Sequence, residues 1–260
     1  MATYTKEADV ATTVEEDPQA RAAMQEVFGN TARWDANFKG FTADICVNLN
    51  GTEHKGTVTV KGPKEIEATI TDEKAKSFLN ENLASIAMHR GPRSFEESDG
   101  KYKIVFGDEG THPMGRKVIL GGDGMSSFYR IKDGRIQQIN RSTPRMSFSI
   151  NIEESIKNAE GKFLTKKYAV YYYNPENKAL KDVESYTDQY TRVGSYDLPE
   201  MRLVHKKQNW SRICGHDHAS SRGAGCGCGA GVHKRWRVPV TDPPAKQLRH
   251  HRVRQRYLRH

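Results

Sequence analysis

His112 and Arg116 stand four residues apart in the segment GTHPMGR, an imidazole set in a loop beside a permanent cation. Such a pair could hold an anionic ligand, and it is the place where an enzymatic site without a known motif would be sought. A second cluster is aromatic. Tyr168, Tyr171, Tyr172, Tyr173, Tyr186, Tyr190 and Tyr196 put seven of the eleven tyrosines within 29 residues. On an extended strand Tyr171 and Tyr173 share one face, while Tyr168, Val170 and Tyr172 share the other. Both faces are then aromatic, which suits a sheet covered on one side and open to a ligand or partner on the other. Ordinary sheet packing with hydroxyls at the edge is the competing explanation. The candidate ligand-binding residues are therefore Tyr171, Tyr173, Tyr186, Tyr190, His112 and Arg116, with no catalytic residue, cofactor or metal ligand assigned.

The third group of reactive side chains is C-terminal. Cys214, His216, His218, Cys226, Cys228 and His233 can all bind metal, but C-x-H-x-H and C-x-C are not the knuckle spacings of structural zinc. From Asn209 to His260 there are nine Arg and two Lys against Asp217 and Asp242, which accounts for the whole formal charge of +9. A polycation of this kind binds nucleic acid non-specifically at low salt, and Trp236 or Tyr257 could stack on bases. Yet only seven of those 52 residues are Leu, Ile, Val, Phe or Met, too few to bury a core. Composition breaks within three residues of Gln208, and Arg, Gly, Ala, His, Pro and Cys are what G/C-rich codons yield out of register. The expectation is a disordered tail over 208–260 and a frameshifted C-terminus replacing the last strand or strands.

Upstream the chain carries no G-x-S-x-G, H-E-x-x-H or Walker loop, and Gly121, Gly122 and Gly124 are not followed by a helix that could present its N-terminus to phosphate. No run of 18 apolar residues exists. The polar, acidic start MATYTKEADVATTVEEDPQA lacks the features of a secretory signal, and Cys46 alone in the body has no cysteine to pair with, so a soluble cytoplasmic protein is expected.

The elements that must position these groups are legible from periodicity. After a disordered acidic leader over 1–16, Asp17-Pro18 caps and starts a helix over about 18–28 with Ala20, Ala23, Met24, Val27 and Phe28 on one face. Phe41, Ala43, Ile45, Val47 and Leu49 alternate as a half-buried strand, and Asn50-Gly51 predicts a tight hairpin into 53–61. A third strand over 65–70 leads to a helix beginning near Thr71 and ending at Gly91-Pro92. Asp99-Gly100 and Asp133-Gly134 predict two more hairpins, and further strands follow at about 117–120, 146–152, 163–173, 183–193 and 201–205. The sum is a mainly β (α+β) domain over 17–207: a curled antiparallel sheet or half-barrel of about ten strands with two covering helices.

The segments ARWDANFKGFTADICVNLNG, SFYRIKDGRIQQINR and YDLPEMRLVHK resemble the uncharacterised family called domain of unknown function 3386, found mostly in photosynthetic bacteria, over about residues 18–206. That resemblance implies a closing strand after Lys206 and transfers no catalytic residue. The order of an N-terminal helix, curled sheet, inserted helix and late G-x-Y-x-L-P segment (Gly194, Tyr196, Leu198, Pro199) also resembles the lipoprotein-carrier half-barrels, which implies an apolar cavity but not a function. The expected activity is non-enzymatic binding of an apolar or amphipathic small molecule, or of a protein partner, on the concave face of the sheet. An enzyme around His112 and Arg116, or a nucleic-acid binder acting through the tail, are the alternatives.

Overall fold

The computed structural model describes residues 15–122, 126–206 and 209–215. Helix α1 (Pro18–Asn30) starts where the sequence requires: the Asp17 carboxylate accepts from the amides of Gln19 and Ala20 at 2.8 and 3.2 Å, and Pro18 opens the first turn. Helix α2 (Glu73–Arg90) is capped in the same way by Asp72, which accepts from Ala75 N at 2.8 Å. The strands are β1 (Phe41–Leu49), β2 (Thr52–Gly62), β3 (Glu65–Ala68), β4 (Lys103–Phe106), β5 (Arg116–Gly121), β6 (Phe128–Lys132), β7 (Arg135–Ser142), β8 (Ser147–Lys157), β9 (Phe163–Tyr173), β10 (Leu180–Val193), β11 (Tyr196–Lys206) and β12 (Asn209–Gly215).

All twelve form one antiparallel sheet in the order β3-β2-β1-β12-β11-β10-β9-β8-β7-β6-β5-β4. The sheet is open, since β3 and β4 are its outer strands and do not pair. The mainly antiparallel architecture with two helices is the one expected. Asn50-Gly51 and Asp133-Gly134 turn with positive φ at both positions (52° and 94°, 53° and 67°), as a two-residue hairpin of that hand demands. Asp99-Gly100 does not make a hairpin. It lies in a 3-10 turn, Asp99–Lys101, and 94–97 is a turn stapled by Ser94 and Glu97, whose side chains bond each other and each other's amides.

One expectation is overturned. The sheet does not end at β11: β12 pairs with β11 from Met201↔Cys214 to Lys206↔Asn209 and with β1 from Ile45↔Gly215 to Leu49↔Ser211. The boundary drawn at 207 therefore moves to Gly215, and the closing strand that was expected to be missing is the strand joining β1–β3 to β4–β11. The register also sets Cys46 directly opposite Cys214, so the cysteine read as having no counterpart in the body has one across the ladder. Residues 216–260, and with them most of the basic segment, lie outside the described residues, as does Gly124.

The apolar core has two main parts, one under each helix, beside a small third cluster of Val105 and Ile119. Leu79, Leu83, Ile86 and Ala87 of α2 pack with Phe41, Ala43, Val47, Val58 and Val60 of β1 and β2. Ala20 and Met24 of α1 pack with Phe95, Ile104, Val118, Leu120 and Tyr129 at the other end of the sheet. Since the helices sit near opposite ends, the strands in the middle are covered by the α1–β1 connection and the C-terminal end of α2. That connection crosses the sheet with its backbone anchored: Ala32 N donates to Phe163 O at 2.9 Å and Trp34 N to Arg90 O at 2.7 Å. No helix among the described residues is long and apolar enough to cross a membrane.

Candidate functional site

The gap between the two cores is a cavity of about 210 Å³. Its floor is the helix-facing side of β7–β11, with Ile136, Ile139, Ile150, Ile152 and Leu164 supplying apolar surface. Its walls are Thr31–Arg33 of the connection and the C-terminal end of α2, from Ser85 to Arg90, with Arg93 beyond.

Alternation decides which tyrosines reach it. Ile150 is paired with Val170 and Ile152 with Tyr168, so these four share the cavity side, as does Tyr172. Tyr171 and Tyr173 oppose Ser149 and Ser147 and point to the other side of the sheet, away from the helices. Of the candidates, Tyr190 lines the cavity, and its hydroxyl donates to Thr165 O at 2.7 Å. Tyr186 lies next to the cavity, stacked on Tyr168 with ring centroids 4.6 Å apart and planes 2° from parallel. Tyr168, not singled out for the site, lines it.

His112 and Arg116 are elsewhere, in and after the β4–β5 loop. His112 Nδ1 accepts from Met114 N at 3.1 Å, and the Arg116 guanidinium lies on the Phe106 ring, 3.4 Å from its centroid, with Nε donating to Asp108 O at 3.3 Å. Both are used to shape the loop, and neither meets the tyrosine cluster.

The missed feature is charge. Arg33, Arg90, Arg93, Arg135 and Arg202 all border the cavity, while Asp188 is the one carboxylate among the described residues lining it. Asp188 is already spent, because Arg202 donates to it through Nε and Nη2, both at 2.7 Å. Burial lowers the Arg202 pKa, but its bonds to Asp188 outweigh that and hold it above the usual arginine value. Arg33 goes the other way, pulled down to about 10 by burial and then by the neighbouring charge of Arg93. His89 is held below its ordinary pKa by desolvation of its ring and then by the charges of Arg93 and Arg202.

Beyond Arg202 the same side continues with a buried carboxylate. Glu184 accepts from Tyr186 at 2.6 Å, Lys206 at 2.7 Å and Tyr172 at 3.2 Å. Desolvation, and then the negative charge of Glu184, push the Tyr172 phenol up to about 12. These tyrosines are neutral donors in a satisfied network and not nucleophiles.

A family model described as Protein of unknown function (DUF3386) matches residues 15–216. The chain belongs to that family. The match ends one residue after β12, so it spans all twelve described strands. No curated protein matches this sequence. Among solved structures, the chain is similar to a domain described as an outer membrane lipoprotein-sorting protein from Vibrio parahaemolyticus, at 10% identity and a TM-score of 0.34, covering 76% of this chain and 91% of that one. It is also similar to LolA superfamily protein NE2245 from Nitrosomonas europaea, at 8% identity and a TM-score of 0.25, with the same coverage.

Proposed function

We propose that this chain is a non-enzymatic binding protein that takes a small apolar or amphipathic molecule in the cavity over β7–β11. One observation carries the reading: between two closed cores the sheet leaves about 210 Å³ unfilled and lined by Ile136, Ile139, Ile150 and Ile152. The cavity opens to water, and its apolar floor gains when an apolar group displaces the water against it, while a mostly apolar lining with a few polar groups is the usual make-up of a small-molecule site. The Tyr190 and Tyr186 hydroxyls are committed to Thr165 O and Glu184, which leaves their rings as walls. Native mass spectrometry of the protein purified from its own cells, and after incubation with a lipid extract, should show a bound small molecule. A clean apo mass in both preparations would defeat the proposal.

A further inference from the structure

We infer that the molecule taken by this cavity carries an anionic head, a carboxylate or a phosphate monoester, on a compact apolar body. The inference rests on the binding reading above and specifies its ligand. Arg33, Arg90, Arg93 and Arg135 come together at the walls from the α1–β1 connection, α2, the turn after α2 and β7. Among the described residues none of the four has a carboxylate within ion-pair distance. Their hydrogen-bond partners are neutral carbonyls: Arg33 donates to Phe28 O at 2.7 Å, Arg93 to Met88 O at 2.8 Å and Arg90 to Asp197 O at 3.3 Å.

Arg90 is the sharpest case. It is only 9% exposed, and its Nε and Nη1 are sealed from solvent with no hydrogen-bond acceptor; Nε of Arg33 and Nε of Arg135 are in the same state. The carbonyl end of α2 and the faces of Trp34 and Tyr190, 5.5 and 5.3 Å from the Arg90 guanidinium carbon, attract the cation, and the Tyr190 side chain also hydrogen-bonds it, yet Nε and Nη1 still lack an acceptor. Buried donors left unmade, beside like charges that repel, are a standing cost to the empty protein. A bound anion removes both parts of it, since guanidinium forks suit the planar carboxylate and the phosphate alike after a small side-chain rotation.

Size restricts the body of the ligand. A cavity of about 150 Å³ accommodates benzene, so the 210 Å³ here suits one short chain or ring rather than several long acyl chains. The aliphatic floor receives that body while the arginine wall takes the head.

The test is calorimetric titration of the full chain with octanoate, octyl phosphate and 1-octanol. Octanoate or octyl phosphate should bind at one site about tenfold or more tighter than 1-octanol, the factor expected for one charge-assisted hydrogen bond. Which of the two anions binds tighter distinguishes a carboxylate from a phosphate ligand. In the double variant Arg90→Gln, Arg93→Gln, with folding checked by circular dichroism, the advantage of the anions should disappear. If 1-octanol matched both anions, the anionic head would be overturned and the cavity reading would stand. An advantage surviving in the double variant would place the anion elsewhere, as on the basic C-terminal segment, and would also overturn the inference. Failure of all three to bind would overturn the binding reading with it.

Discussion

Asp188 and Arg202 form a two-point ion pair across β10 and β11, with side chains only 5% and 7% exposed. The guanidinium also lies over the rings of Tyr186 and Tyr168, 5.4 and 6.0 Å from their centroids, so the pair fastens the tyrosine row to the cavity floor. Removing one partner leaves the other charge buried and uncompensated. Asp188→Asn should therefore destabilise the fold by about 3–5 kcal/mol. Replacing both residues with apolar side chains of similar volume should recover most of that loss. Urea unfolding of the single and double variants checks both statements, and a single variant within experimental error of wild type would refute the role given to the pair.

The β4–β5 loop depends on a carboxylate in a way that predicts its pH response. Partial burial pushes Asp108 up, but the Lys117 and Gly110 amides and the Arg130 guanidinium, at 3.0, 3.0 and 2.8 Å, together hold its pKa below the ordinary aspartate value. A group depressed on folding stabilises above its unfolded pKa, and that contribution is lost as pH falls through the folded pKa. Asp108→Asn should cost about 1–2 kcal/mol at neutral pH and progressively less below about pH 4. Melting curves of both proteins from pH 7 to pH 3 measure the gap. A gap that widened with acid would contradict the assignment.

How far such features can be read from sequence depends on whether their physics is local. Asn50-Gly51 and Asp133-Gly134 were legible because positive φ at two adjacent positions is a demand that few residue pairs meet. Asp99-Gly100 misled for the complementary reason. The same dipeptide also fits a 3-10 turn, and Phe95, packed against Gly100, selects that turn through a contact that no periodicity reveals. The arginine wall was invisible because its members span positions 33 to 202 and meet only in the folded chain. One sign of it did exist. Leu79, Leu83, Ile86 and Arg90 follow helical spacing on the buried face of α2, so a cation falls on an apolar stripe. Strand β12 was missed because Asn209–Gly215 lacks clean alternation. Its place between β1 and β11 is fixed by those two neighbours.

Two glycines are held by the backbone rather than by turn chemistry. Gly115 has φ +91°, and a Cβ there would fall 2.1 Å from Ile131 O; Gly40 has φ +97°, with Val60 O at the same distance. Neither obstacle is a flexible side chain that could move aside. Gly115→Ala and Gly40→Ala should each cost more than about 1 kcal/mol, whereas Gly51→Ala, with φ +94° but open space around the new methyl, should cost less than either. Thermal denaturation of the three variants ranks them. Equal losses at all three positions would show that φ alone sets the penalty.

Because β12 lies between β1 and β11, chain length should have an abrupt effect on stability. A chain ending at Gly215 retains the pairs from Ile45 to Leu49 on β1 and from Met201 to Lys206 on β11. A chain ending at Lys206 loses both ladders at once, and it splits the sheet into β1–β3 and β4–β11, each with a new unpaired edge. Several backbone hydrogen bonds at about 1 kcal/mol each correspond to a fall of about 10 °C or more in Tm for a domain of this size. The shorter chain should also self-associate through the exposed edges. Melting temperature and light scattering of the two truncated chains, beside the full chain, decide the matter. The chain ending at Gly215 should melt above the chain ending at Lys206, and equal Tm values for the two would mean that β12 does not join the halves of the sheet.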